Sequence, residues 1–272
     1  MRRRLVDMAG RERARVPDSA ASGGLAPGAV VLWVCPTRHL GSDERERWYR
    51  CWLDDAERRR ADGAGNAARR AEIIEGRALL RAALAAELGA APNAWRFSTT
   101  PEGQPRVDPA LAARSAGGVM LSLAHTRGLA VCALARGVAV GVDVERDDRR
   151  VEPTAIAGRF FSAHDARAVT SAPADARRAV FLERWMLREA YTKALGTPLL
   201  ALDRQSVSFE RAAGEARGAV RLTADSLLAA ESWRFWMLEP TPEHRVAVAA
   251  RRLTALAGAR LAIRYWSGSG GG

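Results

Sequence analysis

Hydrophobic positions along the chain fall into two successive blocks of the same kind. Val30 to Val34 is a short apolar run closed by Cys35-Pro36, which predicts a first strand. Residues 43–60 and 67–88 carry helical periodicity, interrupted by Asp62-Gly63-Ala64-Gly65-Asn66. The second of these helices sets Ile73, Ile74, Leu80, Leu84 and Leu88 on its apolar face and stops at Gly89. From Trp95 the pattern changes to strands separated by turn residues, at 97–99, 119–123, 129–134 and 138–145. Residues 153–171 and 175–195 are helical again. Strands are then expected near 205–210, 218–222, 233–238 and 245–250, the last two as a hairpin.

Helices followed by strands, twice over, predict an α+β protein of two similar halves meeting near residue 137. Its parts read as a basic, aperiodic, disordered N-terminal tail (1–28), an N-terminal half (29–137), a C-terminal half (138–266) and a flexible Gly/Ser tail (267–272). With 272 residues and 48% apolar composition the chain can bury a substantial core. No apolar run approaches the roughly 18–20 residues of a membrane span. No signal-peptide core follows Met1-Arg2-Arg3-Arg4, so a cytoplasmic protein with no membrane partner is expected. Cys35, Cys51 and Cys132 are odd in number and widely spaced, which argues against a disulfide framework or a zinc site.

Charge narrows the partners. A net charge of +11 suits a polyanion, an acidic protein or a phosphorylated small molecule. Of the 42 basic residues, all but Lys193 are arginine. Arginine keeps its proton permanently, whereas a lysine can give one up and regain it, so the single lysine is a candidate for proton chemistry.

The strand over 138–145 places Val138, Val140, Val142 and Val144 on one face and Ala139, Gly141, Asp143 and Glu145 on the other. Two carboxylates roughly 7 Å apart along a strand can grip one hard cation, and magnesium suits such oxygen donors together with phosphate. Ala139 and Gly141 leave space beside them for a ligand. The plainer reading is two solvated acids at a strand end. On the helix over 175–195, Phe181, Trp185, Glu189 and Lys193 are spaced by four and share one stripe. Glu189 would complete a three-acid site with Lys193 one turn away, or the pair would be an ordinary surface ion pair. His125, at the end of the strand over 119–123, is a candidate phosphate contact, against the plainer reading of a structural histidine. Arg58, Arg59, Arg60, Arg69, Arg70 and Arg77 load the first helices with charge suited to phosphate or an acidic partner, against the plainer reading of a solvated face.

Gly141-Val142-Asp143-Val144-Glu145 and Trp185-Met186-Leu187-Arg188-Glu189-Ala190-Tyr191-Thr192-Lys193 resemble the two signature motifs of the 4'-phosphopantetheinyl transferases. Gly76 to Arg81, Phe97-Ser98-Thr99 with Gly103-Gln104-Pro105, Leu121 to Thr126 and Arg159 to Ser162 agree in order, so the resemblance spans roughly residues 30–250. It implies the larger, monomeric Sfp-type fold, with halves related by a pseudo-two-fold and the active site between them. It implies transfer of 4'-phosphopantetheine from coenzyme A to a serine of an acidic acyl or peptidyl carrier protein, serving fatty acid, polyketide or nonribosomal peptide synthases. By the same resemblance Asp143, Glu145 and Glu189 would hold Mg2+. Glu189 would take the serine proton, and Lys193 would stabilise or protonate the leaving 3',5'-ADP. Coenzyme A would be contacted by His125, Thr126, Arg188 and Gln104, with Arg58 and Arg70 from the basic helices. The sequence departs from the family at Arg188, Ala124 and Gln104. Two rivals are a magnesium nuclease, whose lysine would be wanted on a strand two places after an acid, where Asp147 stands, and a non-catalytic binding protein on the same scaffold. Nucleic acid is therefore not the expected partner.

Overall fold

The alternation of helical and strand texture reappears in the tertiary structure with two interruptions and two added strands, one over Pro105–Val107 and one over Leu261–Tyr265. A computed structural model describes residues 25–100, 105–108, 118–203, 207–211, 220–224, 232–252 and 261–268. The first half runs β1 (Val30–Pro36), α1 (Ser42–Cys51), α2 (Asp55–Asp62), α3 (Ala67–Leu88), β2 (Phe97–Thr99), β3 (Pro105–Val107), β4 (Val119–Thr126) and β5 (Leu129–Arg136). The second runs β6 (Val138–Arg146), α4 (Pro153–Phe160), α5 (Ala163–Thr170), α6 (Arg177–Leu195), β7 (Val207–Arg211), β8 (Val220–Ala224), β9 (Trp233–Thr241) and β10 (His244–Arg252). β11 (Leu261–Tyr265) follows.

Connectivity repeats between the halves. β1 pairs antiparallel with β5, and β5 with β4; β6 pairs antiparallel with β10, and β10 with β9. Each half thus sends one strand into helices, ends them in a long helix (α3 or α6), and returns through a strand hairpin whose last strand lies beside the first. The two inward sheet faces share one core, containing Val30, Leu32 and Val34 of β1, Val131 of β5, Val140 and Val142 of β6, and Val246 and Val248 of β10. α3 covers the outward face of the first sheet through Ile74, Leu80 and Leu84, and α6 covers the second through Phe181, Met186 and Ala190. Among the described residues no helix is long and apolar enough to cross a membrane.

Both interruptions have a local cause. The helix expected over 43–60 breaks after Cys51, because Asp54 caps a new helix. Its side chain accepts from the Glu57 N–H at 2.9 Å, and Glu57 reaches back to the Asp54 N–H at 3.1 Å. The helix expected over 153–171 breaks at Phe161, and Ser162 caps α5 by accepting from the Asp165 N–H at 3.1 Å. Arg81, fully buried, holds the first of these corners: it donates to Glu57 at 2.6 and 3.1 Å and to the Trp95 carbonyl at 2.8 Å.

The ends differ from the sequence reading. Residues 1–24 lie outside the described residues, but Leu25 is buried in the helix–sheet core and the Gly28 N–H donates to the Arg136 carbonyl at 2.9 Å. Four residues assigned to the tail therefore belong to the fold. At the other end β11 adds a parallel edge to β1, Trp266 packs against Trp48 at 5.0 Å between ring centroids, and Gly268 is buried against α1. Packing thus extends into the segment read as a flexible tail.

Candidate active site

β6 alternates as its sequence dictates: the four valines enter the inter-sheet core, and Ala139, Gly141, Asp143 and Glu145 turn toward α6. The space at Gly141 is not open to a ligand, as the sequence reading had it. A methyl group there would lie 1.9 Å from the Ala190 carbonyl oxygen and 2.6 Å from the Ala194 nitrogen, so the helix backbone rests directly on the glycine. Small residues on both sides, Gly141 below and Ala190 and Ala194 above, bring α6 close enough for its charged stripe to reach the strand.

The result is an ion pair across the strand–helix contact. Lys193 Nζ donates to Asp143 Oδ1 at 2.7 Å and to the Val142 carbonyl at 3.2 Å. Both partners are largely sheltered, with side-chain exposures of 24% and 11%. The second Asp143 oxygen, Oδ2, is buried with no hydrogen-bond partner. Burial pushes the Glu189 carboxyl above its ordinary range; the Asp143 charge adds to the rise, while Lys193 and Arg149 oppose it. Glu145 is engaged by Arg149, whose guanidinium lies 5.2 Å from the Trp185 ring centroid. Among the described residues no three acidic, histidine or cysteine side chains stand together as a metal-binding group.

The first half meets this site along β4. Ser122 Oγ accepts from the Val142 N–H at 3.1 Å, stitching β4 to β6. Leu121 and Leu123 face α3, and so does His125; Ala124 and Thr126 take the opposite phase of the strand, with Ala124 in the inter-sheet core. Arg69 Nη1 lies 3.3 Å from His125 Nε2 and 3.4 Å from Nδ1, and Glu72 lies 3.5 Å from Nδ1. Burial, followed by the Arg69 charge, lowers the His125 pKa to about 4, and the Lys193 and Arg60 charges push the same way. His125 is therefore a neutral imidazole at pH 7, within the field of the lysine from the other half.

Several expected coenzyme A contacts are placed elsewhere. Arg188 is 1% exposed, points to the side of α6 that faces β7, and donates to the Val207 carbonyl at 2.8 Å, away from the Lys193–Asp143 pair. Arg70 lies over the Tyr49 ring at 4.6 Å, with Asp62 at 3.5 Å, so it faces α1 and α2. Arg58 pairs with Asp55 at 2.7 Å and lines a separate cleft of about 340 Å³ with Arg50, Asp54 and Arg96, to which no motif residue contributes. Thr126 points away from the face that carries His125. Gln104 lies outside the described residues. Arg69 and Arg60 are the helix arginines whose charges reach His125. One residue of helix turns a side chain by 100°, so within the pair Arg69-Arg70 only the packing of α3 decides which faces the site.

Residues 139–249, from β6 to β10, match the family model described as the 4'-phosphopantetheinyl transferase superfamily. That match makes the segment from β6 to β10 similar to the 4'-phosphopantetheinyl transferase superfamily. That span holds Asp143, Glu145, Glu189 and Lys193, while His125 and Arg69 precede it. The chain is 27% identical over 164 residues to the 4'-phosphopantetheinyl transferase HetI of Nostoc sp., covering 60% of this chain and 62% of that protein. It is 25% identical over 166 residues to the putative 4'-phosphopantetheinyl transferase slr0495 of Synechocystis sp., covering 61% and 64%. The matches thus span less than two thirds of the length of these curated relatives. The crystal structure of Thermotoga maritima holo-[acyl-carrier-protein] synthase superposes with a TM-score of 0.33 at 24% identity, over 42% of this chain and 62% of that one. Both motifs that carry the resemblance lie at one place, the contact of β6 with α6.

Proposed function

We propose that the chain transfers 4'-phosphopantetheine from coenzyme A to a serine hydroxyl of an apo acyl or peptidyl carrier protein, releasing 3',5'-ADP. The observation that carries this reading is the sheltered Lys193–Asp143 contact, with Glu189 on the same helix stripe and Asp143 Oδ2 left without a hydrogen-bond partner. An orphaned carboxylate oxygen in a buried position costs free energy unless a cation meets it. The donor set, all carboxylate oxygen, fits magnesium: Asp143 and Glu189 would hold it, joined by Glu145 once it exchanges Arg149 for the ion. Bound there, the ion would neutralise charge on the pyrophosphate of coenzyme A.

The chain's own groups divide the remaining work. Glu189, which burial makes more basic than a surface glutamate, takes the serine proton. The serine oxygen forms a bond to the β-phosphorus, and the bond from that phosphorus to the bridging oxygen breaks. Lys193 neutralises or protonates the departing phosphate of 3',5'-ADP, a step for which arginine, with its permanently held proton, is ill suited. His125 and Arg69 offer the substrate a neutral imidazole and a guanidinium on the opposite wall. The reading includes a cytoplasmic monomer of the larger type, whose net charge of +11 steers acidic carriers.

The test is incubation with coenzyme A, Mg2+ and a purified apo carrier, followed by intact-mass measurement. The expected outcome is a carrier heavier by one phosphopantetheine, lost in Asp143→Ala and Glu189→Gln. An unmodified carrier across fatty acid, polyketide and peptide types, from folded protein, would refute the proposal.

A further inference from the structure

Beneath the catalytic stripe of α6 lies a polar joint that the proposed chemistry does not use. Asp165 of α5 is fully buried and Arg188 of α6 is 1% exposed. Asp165 Oδ1 accepts from the Phe209 N–H of β7 at 3.3 Å and faces Arg184 Nε at 3.3 Å. Arg188 Nη2 donates to the Val207 carbonyl of β7 at 2.8 Å and lies 3.9 Å from Asp165 Oδ2. Ser162, the cap of α5, is joined to Ser208 of β7 at 2.8 Å. Three elements thus converge on charged groups inside an otherwise apolar core.

Stability alone gives a weak reason for such an arrangement. Charges taken out of water recover their desolvation cost only when well paired, and apolar residues of similar volume often serve as well. What the polar joint adds is direction. Apolar ridges and the Gly141 contact set the distance of α6 from β6, but they resist sliding and rotation of the helix only softly. A guanidinium held on a strand carbonyl fixes both. Arg184 and Arg188 form one stripe, and Trp185 and Glu189 form the next, one residue further on. Any rotation that released Arg188 from Val207 would swing Glu189 through the same angle.

We infer that the Arg188–Asp165 joint is a positioning device that locks the axial register and rotation of α6, so that Glu189 stands beside Asp143. This inference rests on the transferase reading above. It also reassigns the arginine that precedes the catalytic glutamate, from a substrate contact to an internal anchor.

The test uses the full chain with Arg188→Met, Arg188→Lys and Asp165→Asn. Folded fraction is followed by urea unfolding, coenzyme A affinity by calorimetry without carrier, and turnover by carrier modification. Arg188→Met should lower kcat per folded molecule at least tenfold while coenzyme A Kd stays within twofold; Arg188→Lys should recover part of the loss, and Asp165→Asn should follow Arg188→Met. Should Arg188→Met not fold, the same readings on Asp165→Asn decide. A tenfold weaker coenzyme A affinity would restore the phosphate contact and overturn the inference. So would a wild-type kcat per folded molecule, which would leave the joint a purely structural role. A wild-type chain that modifies no carrier sinks the transferase reading itself, and the positioning claim with it.

Discussion

Replacing Gly141 with alanine adds one methyl group at the point where β6 and α6 touch. That methyl would lie 1.9 Å from the Ala190 carbonyl oxygen, 2.6 Å from the Ala194 nitrogen and 3.0 Å from the Ala190 carbonyl carbon. All three are backbone atoms, so no side-chain rotation relieves the clash. Restoring an ordinary contact requires the helix to lift by about 1.5 Å from its present separation. A lift of that size opens the 2.7 Å Lys193–Asp143 pair to about 4 Å and carries Glu189 away with it. Overpacking of this kind costs about 1–3 kcal/mol, and a displacement near 1 Å at a reacting centre costs about 100-fold in rate. Urea unfolding and carrier-modification kinetics read the two effects separately. Val140→Ala is the control. It removes buried volume from the neighbouring residue at a cost of about 1–3 kcal/mol, but Val140 faces the inter-sheet core and does not touch α6. Gly141→Ala should therefore lose turnover far beyond its loss of stability, while Val140→Ala should lose stability alone. Equal turnover in the two variants, or wild-type turnover in Gly141→Ala, would refute the reasoning.

Lys193→Arg should keep the pair with Asp143 and coenzyme A affinity but lose on the order of 100-fold in kcat, because the guanidinium does not release its proton; wild-type kcat would show that charge alone suffices. His125, with its pKa lowered to about 4, should show ring proton shifts in NMR that stay neutral-like from pH 8 to below 5. Because the unfolded chain binds that proton near pH 6.5 and the folded chain does not, the histidine's contribution is intact above that pH. It is lost as pH falls toward 4, up to about 3 kcal/mol, and a urea midpoint that does not fall more in the native chain than in His125→Gln would refute this. Burial pushes the Cys35 thiol up to about 12 and raises Cys132 further, whereas Cys51 is exposed. A thiol reagent at pH 8 should modify one cysteine in the native protein and three in denaturant; fast reaction of a second native thiol would refute that assignment.

The proposed coenzyme A contacts show where reading by pattern stops. Arg69 and Arg70 are equivalent in composition, charge and spacing to any feature along the chain, yet one meets His125 and the other lies on Tyr49. Arg188 sits inside the motif that carries the family resemblance, and its position there suggested the substrate. The tertiary structure turns it into the core because Val207 and Asp165 wait on that side of the helix. β11 escaped notice because five residues of edge strand carry little periodicity, and its partner β1 lies more than 200 residues away in sequence.

The sequence by itself determined the parts with local causes. Period-two valines made β6 and gave Asp143 and Glu145 a common face, period-four spacing put Glu189 and Lys193 on one stripe, and the repeated order of helices and strands gave two similar halves. Only the tertiary structure decided what those stripes meet. It seated α6 on Gly141 and so set the distance from lysine to aspartate, joined β4 to β6 through Ser122, and chose which arginines face His125. Local spacing fixes the phase of a side chain on its own element. The angle and separation at which two elements pack depend on every residue between them, and those are long-range quantities that no short pattern encodes.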